Sequence, residues 1–469
     1  MWLLGGAQSS VAIVSEGESI SYGELGVMVE EFAHRYLGRE GVLVAILAEQ
    51  NLRTIVAYLA SFATPSTVMM VDPQYGPDVV GQIVDAYEPQ LVVGAQSLDR
   101  NMYCESEPYH WTRRTNGASG AVSTKLVMLT SGSMGAPKGV ALGEQGVHAN
   151  TLGTINRLEL NAQSRAITSL PLHYAFGLSV LHSHLAAGGS LVVTESRPTS
   201  RQFWSTLSTS EVTHLPGVSF MYELLQKLFL KRWPTSLRQL SHSGGRLHPE
   251  IQRRYLALAL QHGSQFFLMY GQTELMTRIS AFDLTRRPDK LGSVGVPLDE
   301  IEVATNDGEL VVKSPSVMQG YVDSARAIRN LDQFGTSRDY HHTGDLGIVD
   351  DDGFIWITGR AGRTVKQYGK RVSLDEIEEY LQSERKVAVI SSGSQIVICM
   401  VGKHNEPDEL VMRTARALRL PPASLAVASV PEIPLTSRGK VHYAALSSLV
   451  ESRDGSVGRP SAEAGMEWT

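Results

Sequence analysis

The sequence is poor in cysteine. Only Cys104 and Cys399 occur in 469 residues, which excludes a disulfide framework and a four-cysteine zinc site. It has no surplus of positive charge: 42 Lys and Arg stand against 48 Asp and Glu, a formal net charge of -6. Nucleic-acid binding through bulk cationic charge is thereby excluded. Long hydrophobic runs are missing as well. The apolar stretches at Val42–Leu47 and Ile55–Phe62 fall far short of the ~20 residues that a spanning helix needs. Met1–Gln8 has neither the basic start nor the apolar stretch of a secretory signal, so the expected location is the cytoplasm, with no membrane span. Internal repeats are absent.

What is present is ordinary globular composition, 42% apolar and 19% charged, at a length that predicts about two to four structural units. The 43 glycines are numerous and many are clustered. The first third alternates helical and strand patterns. Helix is expected from Ser21 to Tyr36, over Arg53–Phe62 and over Val79–Tyr87, with strands at Gly41–Leu47, Thr67–Val71 and Leu91–Val93. This alternation predicts βαβ units and mostly parallel sheets, an α/β fold. Residues 94–124 read as polar and irregular. Further strands are expected at Leu126–Leu129, Gly188–Thr194 and Gln265–Met269. Asp351-Asp352-Gly353 marks a hairpin between Leu346–Asp350 and Phe354–Thr358. A second hairpin is expected around Ser392-Gly393-Ser394, followed by an amphipathic helix over Pro407–Leu418. A boundary near Gly359–Gly362 divides a large domain, 1–360, from a small α+β domain, 363–450. The Ser-, Gly- and Pro-rich residues 451–469 are expected to be a disordered tail.

Thr130-Ser-Gly-Ser-Met-Gly-Ala-Pro-Lys-Gly-Val140 follows one of these strands. Glycines and hydroxyls in such a loop can aim backbone N–H groups at phosphate oxygens, and a lysine can neutralise charge. It is not a Walker P-loop, which needs Gly-Lys-Ser/Thr, since Pro137 precedes Lys138 and Gly139 follows it. It resembles the signature loop of the adenylate-forming superfamily: acyl- and aryl-CoA synthetases, nonribosomal-peptide adenylation domains and luciferase-like enzymes. Met134 stands where the family usually has Thr. The resemblance continues in family order through Tyr270-Gly-Gln-Thr-Glu274, Lys290-Leu-Gly-Ser-Val-Gly-Val-Pro297, Gly308-Glu-Leu, Gly320-Tyr321 and Thr343-Gly-Asp345. It ends with Gly359-Arg360, Lys366 with Gly369, and Pro434-Leu-Thr-Ser-Arg-Gly-Lys440.

That resemblance implies a large N-terminal domain, a small mobile C-terminal one, and a reaction in two halves. A carboxylate attacks the α-phosphate of ATP, giving acyl-AMP and pyrophosphate. The thiol of CoA, or of a separate carrier protein's phosphopantetheine, then takes the acyl group and releases AMP. By the same resemblance Thr130, Ser131, Gly132, Ser133, Gly135 and Lys138 would hold the ATP phosphates. Gly244, Gly245, Arg246 and Leu247 would line adenine; Arg246 and Leu247 depart from the family's Ala-Pro. Tyr270 and Gly271 would lie on the adenine face, and Thr273 on the α-phosphate. Glu274 would hold Mg²⁺, a hard cation that prefers carboxylate oxygen. Asp345 would accept from the ribose hydroxyls and Arg360 would reach the ribose or phosphate side. Lys440 would be the catalytic lysine of the small domain. Gly362 occupies the hinge position, where the family usually has Asp or Lys, and Gly369 would face the thiol channel.

The acid side is read from Pro171-Leu-His-Tyr-Ala-Phe-Gly177. Amino-acid adenylation domains carry an Asp where this chain has Gly177, and that Asp pairs with the substrate ammonium. Burying an ammonium without a partner is costly, so a carboxylic acid lacking a free α-amine is expected. His173, Tyr174, Gly177, His242 and Gly244 are the pocket candidates, with His214, Phe220, Met221 and Tyr222 as further members. Two other readings stay open here: a stand-alone amino-acid adenylating enzyme that loads a carrier protein, and a non-catalytic adenylate-binding protein.

Overall fold

The computed structural model describes residues 1–38, 42–115, 123–130, 138–228, 233–334, 340–367, 370–382, 387–392, 395–402, 407–418, 420–436 and 440–451. The chain divides into two units. The first comprises Met1–Ala304, Val311–Thr343 and Val349–Trp356; the second comprises Thr305–Leu310, Gly344–Ile348 and the chain from Ile357 onward.

The first unit is α/β. Strands Leu43–Leu47 and Thr67–Val71 are buried at every position, as their unbroken apolar runs require of parallel strands covered on both faces. They lie in an eight-stranded sheet and pair in parallel with each other, with Leu91–Val93 and with Leu126–Thr130. Local signals set the helices between them. Ser21 and Glu24 form a reciprocal capping box that opens helix Tyr22–Tyr36, whose buried face is Tyr22, Leu25, Val29 and Phe32. Asn51 caps helix Leu52–Ala63 through Thr54 N at 3.0 Å. Residues 94–124 are not irregular throughout: Tyr103–Glu107 and His110–Arg113 pair antiparallel at the sheet edge. Their polar side chains face out while Tyr103 and Trp111 are buried.

A nine-stranded sheet carries the rest of this unit. Its centre is parallel: Ser190–Val193, Arg165–Ile167, His214–Gly217, Gln239–His242 and Gln265–Tyr270 are successive neighbours. Helix Ala175–Ala186 is buried over Ala175–Leu185, and its buried polar side chains are hydrogen-bonded, Ser179 and Ser183 to carbonyls of the same helix, His182 to Tyr58 and His184 to Val180 O. The Lys290–Pro297 motif is structural. Lys290 Nζ lies 2.8 Å from Asp350 and 2.6 Å from Asp352, and Ser293 Oγ donates to Ile355 O at 2.8 Å; together they pin the Asp350–Phe354 turn.

The second unit is α+β. Val387–Ser392 and Gln395–Val401 form the expected hairpin, and Leu425–Val430 joins it in parallel. Helices Leu374–Gln382, Pro407–Leu418 and Tyr443–Glu451 accompany this sheet, and Cys399 is buried within it. Of the expected tail, 451–469, Glu451 ends the last helix and residues 452–469 lie outside the described residues. No helix of the described residues is long and apolar enough to cross a membrane.

Candidate active site

In open parallel sheets, ligands bind beyond the carboxyl ends of the strands, and the motif residues of the first unit collect there. Strand Gln239–His242 runs into Ser243-Gly-Gly-Arg-Leu247 and then helix Pro249–His262. Strand Gln265–Tyr270 runs into the single 3₁₀ turn Thr273–Leu275. Strand Arg165–Ile167 leads to Pro171–Tyr174, and Tyr174 stands at the N-cap of the buried helix. Gly244 adopts φ +89, and a Cβ there would run into the Tyr174 hydroxyl. The expected adenine turn and the expected acid wall are therefore in contact. Gly245 and Arg246 are exposed and Leu247 is buried.

Gly271 admits no side chain: a Cβ would overlap the carbonyl oxygen of Thr277. Gln272 holds the end of this strand, donating to Thr343 O at 2.8 Å while its Oε1 lies 3.1 Å from His341 Nε2. Glu274 Oε1 accepts a 2.8 Å hydrogen bond from the Tyr321 hydroxyl. Two motifs far apart in sequence thus meet, and burial, with the adjacent carboxylate second, holds the Tyr321 phenol well above its usual range. Among the described residues no group of three His, Cys, Asp or Glu could hold a metal ion. One carboxylate suits Mg²⁺, which is bound by one or two carboxylates plus substrate phosphates.

Thr130 ends strand Leu126–Thr130 and pairs with Lys138, which begins strand Lys138–Leu142; Thr130 Oγ1 also donates to Lys138 O at 3.2 Å. The second strand was not expected. Ser131, Gly132, Ser133 and Gly135 lie outside the described residues.

On the acid side, His173 is buried with Nε2 3.3 Å from Asp72 Oδ2, itself buried. The sequence offered no sign of this pairing. Gly177 is closely confined. A Cβ would press into Pro171 O and lie 2.9 Å from Leu170 O, so the Asp of amino-acid adenylation domains has no room on this backbone. His242 is buried, its Nε2 3.0 Å from Ser219 Oγ, and burial pulls its pKa down to about 3. Behind it, His214 lies 3.0 Å from His184 and 2.7 Å from Ser241 Oγ. Burial takes His184 to about 4 and His214 well below the ordinary histidine range. These imidazoles are neutral at physiological pH. Of the further pocket candidates, Tyr222 is buried against His242, Met221 is buried, and Phe220 is exposed.

Asp345 and Arg360 both belong to the second unit. Asp345 is buried, and its Oδ1 accepts from Arg360 Nε at 2.8 Å. Gly344 takes φ +69 and donates to Glu309 Oε1 at 2.8 Å. Gly362 lies in the 3₁₀ turn Ala361–Arg363, with nothing near a Cβ and no left-handed φ. Gly369 lies outside the described residues. Lys440 is exposed and joined to Thr436 by two hydrogen bonds: Thr436 N donates to Lys440 O at 2.7 Å, and Lys440 N donates to Thr436 Oγ1 at 3.2 Å.

A parallel α/β sheet with these turns at its carboxyl edge, joined to a small α+β unit, is the architecture of adenylate-forming enzymes. The chain belongs to the AMP-binding enzyme family, whose model matches residues 5–322. It is 27% identical over 402 residues to a 2-succinylbenzoate–CoA ligase of Bacillus cereus, covering 80% of this chain and 81% of the relative. In fold it is similar to the O-succinylbenzoate coenzyme A synthetase of Bacillus subtilis in complex with AMP. The TM-score is 0.77 at 22% identity, over 98% of this chain and 99% of that one. The same enzyme in complex with ATP and magnesium ion gives a TM-score of 0.74 at 21% identity, over 94% of this chain and 98% of that one.

Proposed function

We propose that the protein is an ATP- and Mg²⁺-dependent acid–thiol ligase that activates a carboxylic acid without a free α-amine and transfers it to coenzyme A. The observation that carries this reading is the gathering of Gly244–Gly245, Tyr270–Glu274 and Tyr174 at the carboxyl ends of neighbouring parallel strands. The match to CoA ligases over four-fifths of the chain favours CoA over a carrier protein as acceptor.

The chemistry brings two anions together, so cations and donors must face the developing charge. In this reading Tyr270 and the Gly244–Leu247 turn hold adenine, and Thr273 donates to the α-phosphate. Glu274, whose Oε1 accepts from the Tyr321 hydroxyl, would hold Mg²⁺, which when bound would supply charge neutralisation at the phosphates. Thr130, the residues 131–135 and Lys138 cradle those phosphates. Asp345 and Arg360 address the ribose. Lys440 brings a point charge on a flexible stem to the reacting carboxylate and the α-phosphate. Gly362 serves as hinge and Gly369 faces the thiol.

The test is acid-dependent release of pyrophosphate over fatty, aryl, hydroxy and amino acids, with AMP and thioester measured after CoA is added. Amino acids are expected to be poorer substrates than their des-amino analogues. Clear preference for the amino forms, or the absence of acid-dependent release in every class, would refute the reading.

A further inference from the structure

Arg278 is one of the most deeply buried side chains of the first unit, at 1% exposure. Its Nε and Nη1 have no hydrogen-bond partner, and among the described residues no carboxylate lies within ion-pair distance of it. The guanidinium stands over the Phe176 ring, 4.2 Å from the centroid. Asn150 holds only its backbone, donating to Arg278 O at 2.7 Å. The titratable groups that bear on it are Tyr174, His184 and His214, and burial keeps both imidazoles neutral at neutral pH. Burial draws the guanidinium down to about 9, which leaves it cationic at neutral pH. A buried cation without an anion is among the costliest arrangements a core can hold.

The backbone is arranged to put it there. Met276 and Thr277 have φ 49 and 98, and a β-branched residue in that region is strained. Thr277 Oγ1 donates to Ala175 O at 3.2 Å, tying the turn to the start of the Phe176 helix. Strain of this kind persists where surroundings over-determine it, and it concentrates at ligand sites.

We propose that Arg278 is the specificity-determining residue of the acid pocket and pairs with a second carboxylate on the substrate, distal to the one that is adenylated. The proposal rests on the ligase reading for the position of the pocket, but not for the buried charge. A dicarboxylic acid would supply the anion that the protein itself withholds, and a planar guanidinium whose Nε and Nη1 have no partner keeps an N–H free on each of its carboxylate-binding edges. The same cation would repel an ammonium at this wall.

The experiment compares matched pairs, 2-succinylbenzoate against 4-oxo-4-phenylbutanoate and adipate against hexanoate, on wild type, Arg278→Met and Arg278→Lys. Ligand-induced thermal stabilisation is read without ATP, and pyrophosphate release with it. At least one diacid is expected to stabilise wild type where its monoacid does not, and to be preferred by about 10²-fold in kcat/KM, the scale of a charged hydrogen-bonded pair. Arg278→Met should bring that preference to within a few-fold, and Arg278→Lys should keep part of it. Without ligand, Arg278→Met should melt higher than wild type, because it removes an uncompensated buried charge; a merely structural arginine would give the opposite. Equal response to both members of each pair, a preference that survives Arg278→Met, no stabilisation by either diacid, or a lower melting temperature for Arg278→Met would each overturn the proposal. Stabilisation by a diacid without pyrophosphate release would support the arginine site and refute the ligase. Release from both members alike would do the reverse.

Discussion

Gly177→Ala tests the shape of the proposed acid wall directly. The added methyl would press into Pro171 O and sit 2.9 Å from Leu170 O, both backbone atoms that cannot rotate away. Pro171 O already accepts from Tyr174 N at 3.1 Å, and Leu170 O from Gln50 Nε2 at 3.3 Å. The helix cannot retreat, because it is buried from Ala175 to Leu185. Overpacking of this kind costs about 3 kcal/mol, the upper part of the usual range, offset by about 1 kcal/mol of helix propensity. A net loss of about 2 kcal/mol corresponds to a fall in Tm of roughly 4–8 °C for a large domain. Gly81→Ala is the control: that glycine lies inside helix Pro77–Tyr87 with no atom within 4 Å of a Cβ, so it should gain stability. Thermal unfolding followed by circular dichroism reads both. Because the displaced segment carries His173 and Tyr174, pyrophosphate release should fall by about 10²-fold, the effect of a misplacement near 1 Å. A Gly177→Ala protein as stable and as active as wild type would refute the packing argument.

Lys440→Ala should lower acid-dependent pyrophosphate release by at least ~10²-fold, as loss of a transition-state cation does, while ATP affinity measured by calorimetry stays within a few-fold. Glu274→Gln should weaken the Mg²⁺ dependence and slow the first half-reaction by about 10²–10³-fold. Tyr321→Phe, which removes one hydrogen bond from the same carboxylate, should cost about tenfold or less; an unchanged Mg²⁺ titration in Glu274→Gln would dismiss the metal role. The buried His182, His184, His214 and His242 all have pKa values below the ordinary range, so the unfolded chain binds their protons first as pH falls. Stability is therefore complete above about pH 6.5 and is lost below it, by roughly 1.4 kcal/mol per histidine per pH unit, until the folded values are reached, near 3 to 4 for His182, His184 and His242. Urea midpoints that stay flat from pH 7.5 to 5.5 would contradict this.

The parallel strands were legible because burial on both faces leaves an uninterrupted apolar run of about five residues between turn signals, as in Leu43–Leu47 and Thr67–Val71. Glycines stood out in the motifs, and at Gly271 and Gly177 close backbone approach leaves no room for a side chain. What the sequence concealed depends on contacts between distant segments. The Tyr103–Glu107 strand reads as polar because it is an edge strand with one covered face. Asp345 groups with the small unit through Arg360 and, by way of Gly344, Glu309, a partition that no local composition marks. The Asp72–His173 pair joins residues about 100 positions apart. Arg278 was the least visible of all, since an arginine is by default a surface residue; it is buried directly after the left-handed backbone at Met276 and Thr277.

Gly177 and Arg278 bear on the same few residues of one helix. Phe176, whose ring lies under the guanidinium, immediately precedes the glycine whose Cβ position is closed by Pro171 and Leu170. An amino-acid pocket needs an anion on this wall to meet the substrate ammonium. Here the backbone removes the place where that anion would stand, and a buried cation occupies the neighbourhood instead. The two features act in one direction, since each alone would penalise an ammonium and the cation also favours a further negative charge. Installing Asp at 177 without moving Pro171 would strain the helix, and even a tolerated Asp would have Arg278 as a competing buried cation. Its charge would then be spent on the arginine rather than on a substrate. Conversion to an amino-acid pocket therefore requires relief of the Pro171 contact and loss of the Arg278 charge together, and neither substitution by itself should confer it.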